Sequence, residues 1–250
     1  MTSPFTLEEK TILVTGASSG IGKETAIQIS NNKASSCIII GRDHKALEET
    51  ASKFNSNCTP VSLSYDLTDF TQFNQLEQSI PELDGIVLNA GINNPKLLKF
   101  ASEKDLEKIF DINFYSPVLL IHHLLKKKKI KKGASIVFIS SISGLTNFAL
   151  GNGIYGSSKS ALTSYMKYLA VELAPKKIRC NSIHPGRIQT AFIDKIKLDQ
   201  EALEKDIQQY PLKRYGKPEE IAYAVIYLLS EASSWVTGIN LTIDGGRSLV

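Results

Sequence analysis

Short runs of apolar and β-branched residues alternate along the chain with longer amphipathic segments. Most of the short runs end at or just before glycine, asparagine, serine or aspartate, as expected for buried strands of a parallel sheet bounded by turn residues. The segments between them repeat their apolar residues at helical spacing. Strands alternating with helices predict a doubly wound α/β fold with a seven-stranded, mainly parallel sheet. The predicted strands are 11–15, 37–41, 59–65, 84–88, 134–139, 177–183 and 238–243.

Composition limits the class of protein. At 250 residues and 42% hydrophobic, the chain is long enough for one large core, so we expect a single domain over 1–250. The net charge of +4 leans toward anionic ligands but does not by itself indicate nucleic acid. Cys37, Cys58 and Cys180 lack the spacing and companions of a disulfide framework or metal site. With no apolar run near about 18 residues, we expect a cytoplasmic protein without a membrane partner.

A glycine-rich turn joins the first predicted strand to an amphipathic helix. Its glycines allow positive φ and close backbone approach, while the helix N-terminus offers free N–H groups and a positive dipole. Such a turn binds a pyrophosphate or is an ordinary connection; the flanking strand and helix favour pyrophosphate. The candidate cofactor-binding residues here are Gly16, Ser18, Ser19, Gly20, Ile21 and Gly22.

The end of the second strand bears on the choice of cofactor. Arg42 and Asp43 follow it directly, where the ribose of an adenosine would lie. Arginine offers a 2′-phosphate a planar charged donor, whereas an acid would accept bonds from a 2′-hydroxyl. Arg42 therefore favours NADP(H) over NAD(H). The alternatives are that Asp43 grips the ribose of NAD(H), or that both charges simply begin the next helix.

Two further strand ends offer cofactor-binding candidates: Asp66, Leu67, Asn89, Ala90 and Gly91. Asp66 would accept the amino group of adenine, or it would act as an N-cap partner for the helix that follows. The turn from Asn89 to Gly91 consists of small residues and would lie against the cofactor ribose, or serve only as a turn.

A proline interrupts the helix predicted in the middle of the chain. The helix opens with a capping pattern at Ser102–Asp105 and continues on apolar positions to Pro117. Because proline lacks an N–H, the carbonyl of Asn113 loses its partner and can hold a water in a site. Alternatively, one helix ends near Tyr115 and another begins at Pro117.

Six of the seven residues in the run 126–132 are lysines. Such a run can bind nucleic acid or an anionic membrane, but it follows two leucines and precedes a glycine. This context predicts a helix C-terminus, where cations are favoured. We interpret the run as a solvated helix end and expect no nucleic-acid partner. His122 and His123 have no acidic or cysteine companions and are interpreted as structural.

Candidate chemistry lies in the second half of the chain. Ser140, Ser141 and Ser143 follow the fifth strand, where a serine can bond a substrate oxygen or belong to an ordinary turn. A helix predicted from Tyr155 would place Lys159 on the same face.

The Tyr155–Lys159 pair can move a proton. A free tyrosine has a pKa of about 10, so transfer near neutrality requires about 4 kcal/mol of phenolate stabilisation. An ammonium about 4 Å away supplies that much at an effective dielectric constant of about 20. Alternatively, the two are merely surface residues of a helix.

Together these motifs resemble the short-chain dehydrogenase/reductase family in order and spacing over nearly the whole chain. The resemblance implies a Rossmann-type fold and hydride transfer between a nicotinamide and a carbonyl or secondary alcohol. The matching residues are Thr15, Gly16, Gly20, Gly22, Asp66, Asn89, Ala90, Gly91, Asn113, Ser141, Tyr155, Lys159, Pro185, Gly186, Thr190, Asp244, Gly245 and Gly246.

The resemblance also implies a catalytic tetrad. Tyr155 would be the acid/base, and Lys159 would lower its pKa and bind the nicotinamide ribose. Ser141 would hold the substrate oxygen, and Asn113 would position a proton-relay water. One departure is the spacing from Ser141 to Tyr155, one position longer than usual. Either the loop 147–153 carries an insertion or the serine assignment slips, and we retain Ser141 because it stands directly at the strand end.

The last third of the chain would cover the site. By resemblance, Pro185 and Gly186 begin a turn that closes over the nicotinamide, with Ile188 and Thr190 near its carboxamide. A substrate lid is expected at about 190–215.

His184 invites a catalytic interpretation because histidine is a common acid/base. It directly precedes a proline that restricts its backbone, and the tyrosine already fills the acid/base role. We interpret His184 as structural.

The nearest-looking group is the 3-oxoacyl-[acyl-carrier-protein] reductases. We therefore expect an NADP(H)-dependent enzyme that acts on a carbonyl or secondary alcohol. A substrate linked to acyl carrier protein and a free substrate are both compatible with the motifs. Sugar, steroid and small-ketone substrates stay open, as does a non-catalytic NADP(H)-binding regulator. The family resemblance implies a homotetramer or homodimer, and no motif indicates a metal.

Overall fold

Seven parallel strands form the central sheet of the computed structural model, which describes residues 3–190 and 200–250. Every predicted strand is present, most within two residues of its predicted bounds. The fold-class prediction is confirmed. The strands are β1 (Thr11–Thr15), β2 (Ser36–Gly41), β3 (Thr59–Ser64), β4 (Leu83–Leu88), β5 (Ile130–Ile139), β6 (Arg179–Pro185) and β7 (Asn240–Ile243).

The strand order is β3-β2-β1-β4-β5-β6-β7. Ile12 of β1 pairs with Cys37 on one side and with Gly85 of β4 on the other. The chain therefore leaves the middle of the sheet in opposite directions from β1 and β4. A crevice opens at the carboxyl ends of these two strands, where ligands bind in folds of this kind.

Helices cover both faces of the sheet. The helices are α1 (Gly20–Asn31), α2 (His44–Ala51), α3 (Phe73–Gln78), α4 (Glu103–Phe110), α5 (Ser116–Lys126), α6 (Gly153–Leu173), α7 (Gln200–Gln208) and α8 (Pro218–Leu229). Because neighbouring strand residues point to opposite faces, Leu13 packs into one core with α3, α5 and α6, while Ile12 and Val14 pack into a second core with α1 and α8.

A π-helical segment, Asp111–Tyr115, joins α4 to α5 without a break. The N–H of Ser116 donates to the carbonyl of Asp111, so one extra residue is accommodated just before Pro117. The predicted capping box between Ser102 and Asp105 is present at the start of α4. Pro117 thus lies in the first turn of α5, directly after the π segment, so the helix neither ends near Tyr115 nor begins anew at Pro117.

The lysine run is distributed differently from the prediction. Only Lys126 belongs to a helix, and β5 begins at Ile130, four residues before its predicted start. Lys131 pairs with Asp84 at 2.8 Å. The run is therefore a helix end, a turn and the start of a strand, because the β4–β5 pairing extends to Ile130. Within the described part of the chain, no helix is long and apolar enough to cross a bilayer.

Candidate active site

The glycine turn connects the ends of β1 and β4. The Thr15 hydroxyl accepts bonds from the N–H groups of Asn89 and Ala90, at 3.0 and 3.1 Å. Asn89 Nδ2 donates at 3.1 Å to the carbonyls of Thr15 and Gly16. A Cβ on Gly22 would overlap the Gly16 carbonyl, so this close approach requires glycine. The predicted turn residues from both strands thus form one wall of the crevice.

The N-terminus of α1 has no capping side chain, since Ser19 makes no cap bond and the first turn contains no acid. By contrast, Asp43 caps α2 by accepting from Ala46 N at 3.1 Å. The first N–H groups of α1 are therefore left for an anion. Thr190 reaches the same turn, because its Cγ2 lies 3.3 Å from the position a Cβ would take on Gly20.

The residues that follow β2 and β3 were each given alternative roles, as a cofactor contact or as a helix cap, and the structure shows which of them cap a helix. Asp43 begins α2 as its N-cap, so its carboxylate is engaged there. Arg42 is exposed, and Ser18 lies close to Gly41 just before it. Asp66 accepts from Thr68 N and Oγ1 at 2.9 and 2.7 Å, and these bonds hold the pKa of its carboxyl below the usual range.

Asp66 is therefore not the N-cap of the following helix. Asp69 caps the short 3-10 helix Phe70–Gln72 that leads into α3, since it accepts from Thr71 N at 3.1 Å. Leu67 is buried in the core. Asp66 is exposed at the tip of β3.

Tyr155 and Lys159 lie on the inward face of α6. Lys159 is only 4% exposed, and its Nζ donates to the carbonyl of Ile139 at 2.9 Å. Burial lowers the pKa of Lys159 to about 8. An ammonium held without a carboxylate costs free energy, which is the condition expected at a functional site.

Tyr155 is half-buried, and its phenol lies near the side chain of Ser141. Burial raises the pKa of Tyr155, and the Ser141 hydroxyl offsets only part of that effect. Burial therefore outweighs any lowering by Lys159 in this structure, where Lys159 Nζ is bonded to the Ile139 carbonyl. Tyr155 is a proton donor at neutral pH here.

The three candidate serines are now distinguished. Ser140 Oγ bonds the Lys159 carbonyl at 3.1 Å and Thr163 at 3.0 Å, which fixes β5 against α6. Ser143 donates its N–H to Ser141 Oγ at 3.1 Å. Ser141 alone of the three influences the pKa of Tyr155. Ser141 therefore remains the candidate for the serine that holds the substrate oxygen.

Asn113 is fully buried beside the site. Its amide exchanges two bonds with the backbone of Ile92, with Oδ1 accepting at 2.8 Å and Nδ2 donating at 3.0 Å. Nδ2 also donates to Ser158 Oγ at 3.0 Å. A Cβ on Gly91 would lie 3.1 Å from Asn113 Oδ1 and 3.2 Å from Lys159 Nζ, so glycine allows these groups to meet. Ser158, on the far side of Asn113, had no distinguishing signal in the sequence.

The turn after β6 lies across the same strand ends. Gly186 N donates to Ile243 O at 3.0 Å, and a Cβ on Gly186 would lie 2.9 Å from Asp244 Cα. Pro185 ends the strand. Ile188 is buried against Gly216, so its side chain belongs to the core rather than to an open pocket.

Residues 191–199 of the predicted lid lie outside the described residues. The segment after it is anchored to the β6 turn. Arg187 Nη1 contacts Asp206 at 2.8 Å and the hydroxyl of Tyr215 at 3.2 Å, and that hydroxyl donates to Asp206 at 2.6 Å. These contacts hold α7 beside the turn that carries Pro185 and Thr190.

Exposed apolar side chains flank the site on the loops after β4 and β5. The two loops touch, since Lys96 N donates to Gly151 O at 2.9 Å and Leu98 lies against Gly153, two residues before Tyr155. We call these side chains the apolar rim: Leu98, Phe100, Phe148 and Leu150, exposed by 68, 63, 84 and 91%.

Comparisons with known proteins agree with this geometry. A family model described as enoyl-(acyl carrier protein) reductase matches residues 16–248. A 3-oxoacyl-[acyl-carrier-protein] reductase FabG of Rickettsia typhi is 34% identical over 241 residues, covering 96% of this chain and 98% of that protein. The chain belongs to the short-chain dehydrogenase/reductase family.

Solved structures are similar over the full length. A Pseudomonas aeruginosa RhlG/NADP active-site complex has a TM-score of 0.91 at 31% identity, over 99% of this chain and 100% of that one. A short-chain type dehydrogenase/reductase from Mycobacterium marinum has a TM-score of 0.88 at 30% identity, over 98% of each chain. The protein is an oxidoreductase acting on CH–OH or C=O groups.

Proposed function

We propose that this protein is an NADP(H)-dependent carbonyl reductase whose substrate is a 3-oxoacyl thioester carried on an acyl carrier protein. The observation that carries the proposal is the grouping of Ser141, Tyr155 and buried Lys159 at the strand ends beside a glycine-lined turn. The FabG relatives support the substrate class.

The residues of the site would act on the substrate oxygen. Ser141 Oγ would hold the carbonyl oxygen, and Tyr155 would deliver its proton there; the raised pKa keeps that proton in place until negative charge develops. Lys159 would place positive charge near the tyrosine. Asn113 keeps the backbone of Ile92 in place and would position a proton-relay water.

The crevice fits a dinucleotide phosphate cofactor, which supplies the hydride when bound. The uncapped start of α1 and the glycine cradle suit a pyrophosphate. Arg42 would contact the 2′-phosphate, because it is exposed at the end of β2 while the rival Asp43 is engaged as a cap. The residues that would hold NADP(H) are Gly16, Ser18, Ser19, Gly20, Ile21, Gly22, Arg42, Asp66, Leu67, Asn89, Ala90, Gly91, Tyr155, Lys159, Pro185, Gly186, Ile188 and Thr190.

The apolar rim favours an acyl chain over a sugar, since its four large side chains offer contact area and no hydrogen-bond partner. Residues 190–215 would close over such a substrate as a lid. Steroids and small ketones fit the same chemistry and are the rival substrates. A non-catalytic regulator is disfavoured by the buried Lys159, which costs stability without serving the fold.

We propose a homotetramer or homodimer in the cytoplasm. The support is an exposed apolar strip on α6 and the helical segment before α5, where Tyr168 is 70%, Val171 76% and Tyr115 47% exposed. A second copy would cover these side chains. Size-exclusion chromatography with light scattering measures the assembly, and a monomer would refute it.

The test is turnover of NADPH with a 3-oxoacyl thioester, a 2-enoyl thioester, a sugar ketone and a steroid ketone. We expect the 3-oxoacyl substrate to be preferred and Tyr155→Phe to lose about 10³-fold in kcat while still binding NADPH. Preference for the 2-enoyl thioester would support the activity named in the family model's description. Full turnover by Tyr155→Phe would overturn the mechanism.

A further inference from the structure

His184 is a buried titratable group that the proposed chemistry does not use. The backbone pairing between β5 and β6 ends with Ser140 N donating to Ile183 O at 2.8 Å. Ser141 is one residue beyond that bond, so the strand pairing no longer fixes it. His184 follows Ile183 and is fully buried at the same level of the sheet.

The imidazole of His184 links β6 to Ser141, just beyond the last backbone bond between β5 and β6. His184 Nδ1 lies 3.0 Å from the carbonyl oxygen of Ser141. A carbonyl can only accept, so Nδ1 carries the proton. The Ser141 carbonyl also accepts from Gly144 N at 3.0 Å. Two donors therefore fix the peptide of Ser141 from opposite neighbours, one in the following turn and one in the next strand.

The second ring nitrogen is held by the neighbouring strand. His184 Nε2 lies 2.8 Å from Ser182 Oγ, which also lies 2.9 Å from Asn240 Oδ1 of β7. With Nδ1 protonated in a neutral ring, Nε2 accepts the single hydroxyl proton of Ser182. The Asn240 amide must then be turned so that its NH2 group, rather than Oδ1, faces the Ser182 oxygen. Burial lowers the pKa of His184, and the charge of Lys159 acts in the same direction, so the ring is neutral near pH 7.

We propose that His184 is a positioning residue that aims the Ser141 hydroxyl at Tyr155 and the substrate oxygen, by holding the Ser141 carbonyl through Nδ1–H. The inference rests on the proposed carbonyl reduction and adds a residue to it. His184 acts through Ser141 alone, so its loss should lower kcat while the glycine cradle keeps its affinity for the cofactor.

Three variants separate this role from simple core packing. In His184→Asn the amide nitrogen takes nearly the place of Nδ1 and can donate to Ser141, whereas in His184→Gln it takes nearly the place of Nε2. We expect His184→Asn to keep kcat within about threefold, and His184→Gln and His184→Ala to lose about tenfold or more. NADPH affinity, measured by fluorescence titration, should be unchanged in all three.

Thermal unfolding provides the structural control. If His184→Asn and His184→Gln lose kcat equally, or in proportion to their loss of Tm, the positioning role is refuted; so is it if none of the three loses kcat. Should His184→Ala fail to fold, the Asn and Gln pair still decides the matter.

A measurement independent of turnover separates this inference from the proposed function. NMR of nitrogen-15-labelled histidine should show His184 as the neutral Nδ1–H tautomer. The Nε2–H tautomer would overturn the inference. If the tautomer is as expected but wild-type protein reduces no carbonyl substrate, the proposed function fails while the bond to Ser141 stands.

Discussion

Lysines at the two ends of the strands have opposite environments. We call the end where the parallel strands begin the amino edge and the end where they finish the carboxyl edge. At the amino edge, Lys131 is partly exposed and pairs with Asp84 at 2.8 Å, and the same carboxylate accepts from Thr11 N at 2.9 Å. At the carboxyl edge, Lys159 is buried and bonded to a carbonyl rather than a carboxylate. Lys131 is therefore paired with a carboxylate, whereas Lys159 is a buried charge without one, which costs free energy of folding.

We interpret this difference as an indication that the chemistry takes place at the carboxyl edge. Helix α2 has a capping carboxylate, whereas α1, at the crevice, has no side-chain cap. Local stability is given up where a ligand would complete the site. The number of lysines in a segment does not identify the site, because the lysine run mostly joins α5 to β5, whereas the single Lys159 lies about one helical turn from Tyr155 on α6.

The largest effect is expected for Lys159→Met, which removes the buried charge of the carboxyl edge. We expect kcat to fall about 10²-fold or more, since the charge near Tyr155 is lost. We also expect stability at pH 7 to rise by about 1 kcal/mol. Removing the buried charge should raise the free energy of unfolding by about 3 kcal/mol. Part of that gain is lost because the Ile139 carbonyl no longer has its hydrogen-bond donor.

The sign of the pH dependence is fixed by the lowered pKa. Folded Lys159 loses its proton near pH 8 and an unfolded lysine near pH 10.4. Wild type therefore gains stability as pH rises through that window, and the advantage of Lys159→Met shrinks there. Urea unfolding of both proteins measures it. A variant less stable than wild type at every pH would contradict the buried-charge account.

Arg42→Ala tests the cofactor side of the carboxyl edge. We expect NADPH affinity to fall about 10- to 100-fold, with little change for NADH, because only the former carries the 2′-phosphate. Arg42→Lys is the matched control, retaining charge but losing the planar donor. Parallel titrations of both cofactors decide it, and an unchanged preference would remove Arg42 from the site.

The apolar rim offers a smaller effect. Phe148→Ala should lower kcat/KM for a long-chain 3-oxoacyl thioester about tenfold and leave a short-chain one nearly unchanged, since only the long chain reaches the rim. Trp235, which is 99% exposed, supplies a control: Trp235→Ala should affect neither substrate. Equal losses for both chain lengths would refute a rim contact.

The smallest effect is expected at the amino edge. Lys131→Met should reduce stability by about 0.5 kcal/mol, because its ion pair with Asp84 is partly exposed. Activity should be unchanged. Denaturant unfolding and steady-state kinetics are the two measurements, and a large loss of turnover would show that the two edges are coupled.

Periodicity predicted the strands and the helix Pro218–Leu229, because β-branched runs and apolar helical spacing are local signals. The glycine turn was equally readable, since Gly16 and Gly22 occupy positions where a side chain would clash. Ordered motifs at strand ends therefore suffice to locate the crevice before any coordinates are known.

Features that depend on distant partners were not predictable. The start of β5 at Ile130 requires its partner Leu83, and the π segment compensates for Pro117 in a way that composition does not reveal. The raised pKa of Tyr155 results from burial by the whole fold. Likewise, the contact between His184 and Ser141 joins residues far apart in sequence.

The most direct test of the central claim follows the transferred hydrogen. NADPH that carries deuterium at both hydrogens of nicotinamide C4 is mixed with a 3-oxoacyl thioester, and the product is analysed by mass spectrometry. We predict deuterium at the former carbonyl carbon with wild type, and almost no product with Tyr155→Phe although NADPH is bound. Product without deuterium, or equal product from Tyr155→Phe, would contradict the account.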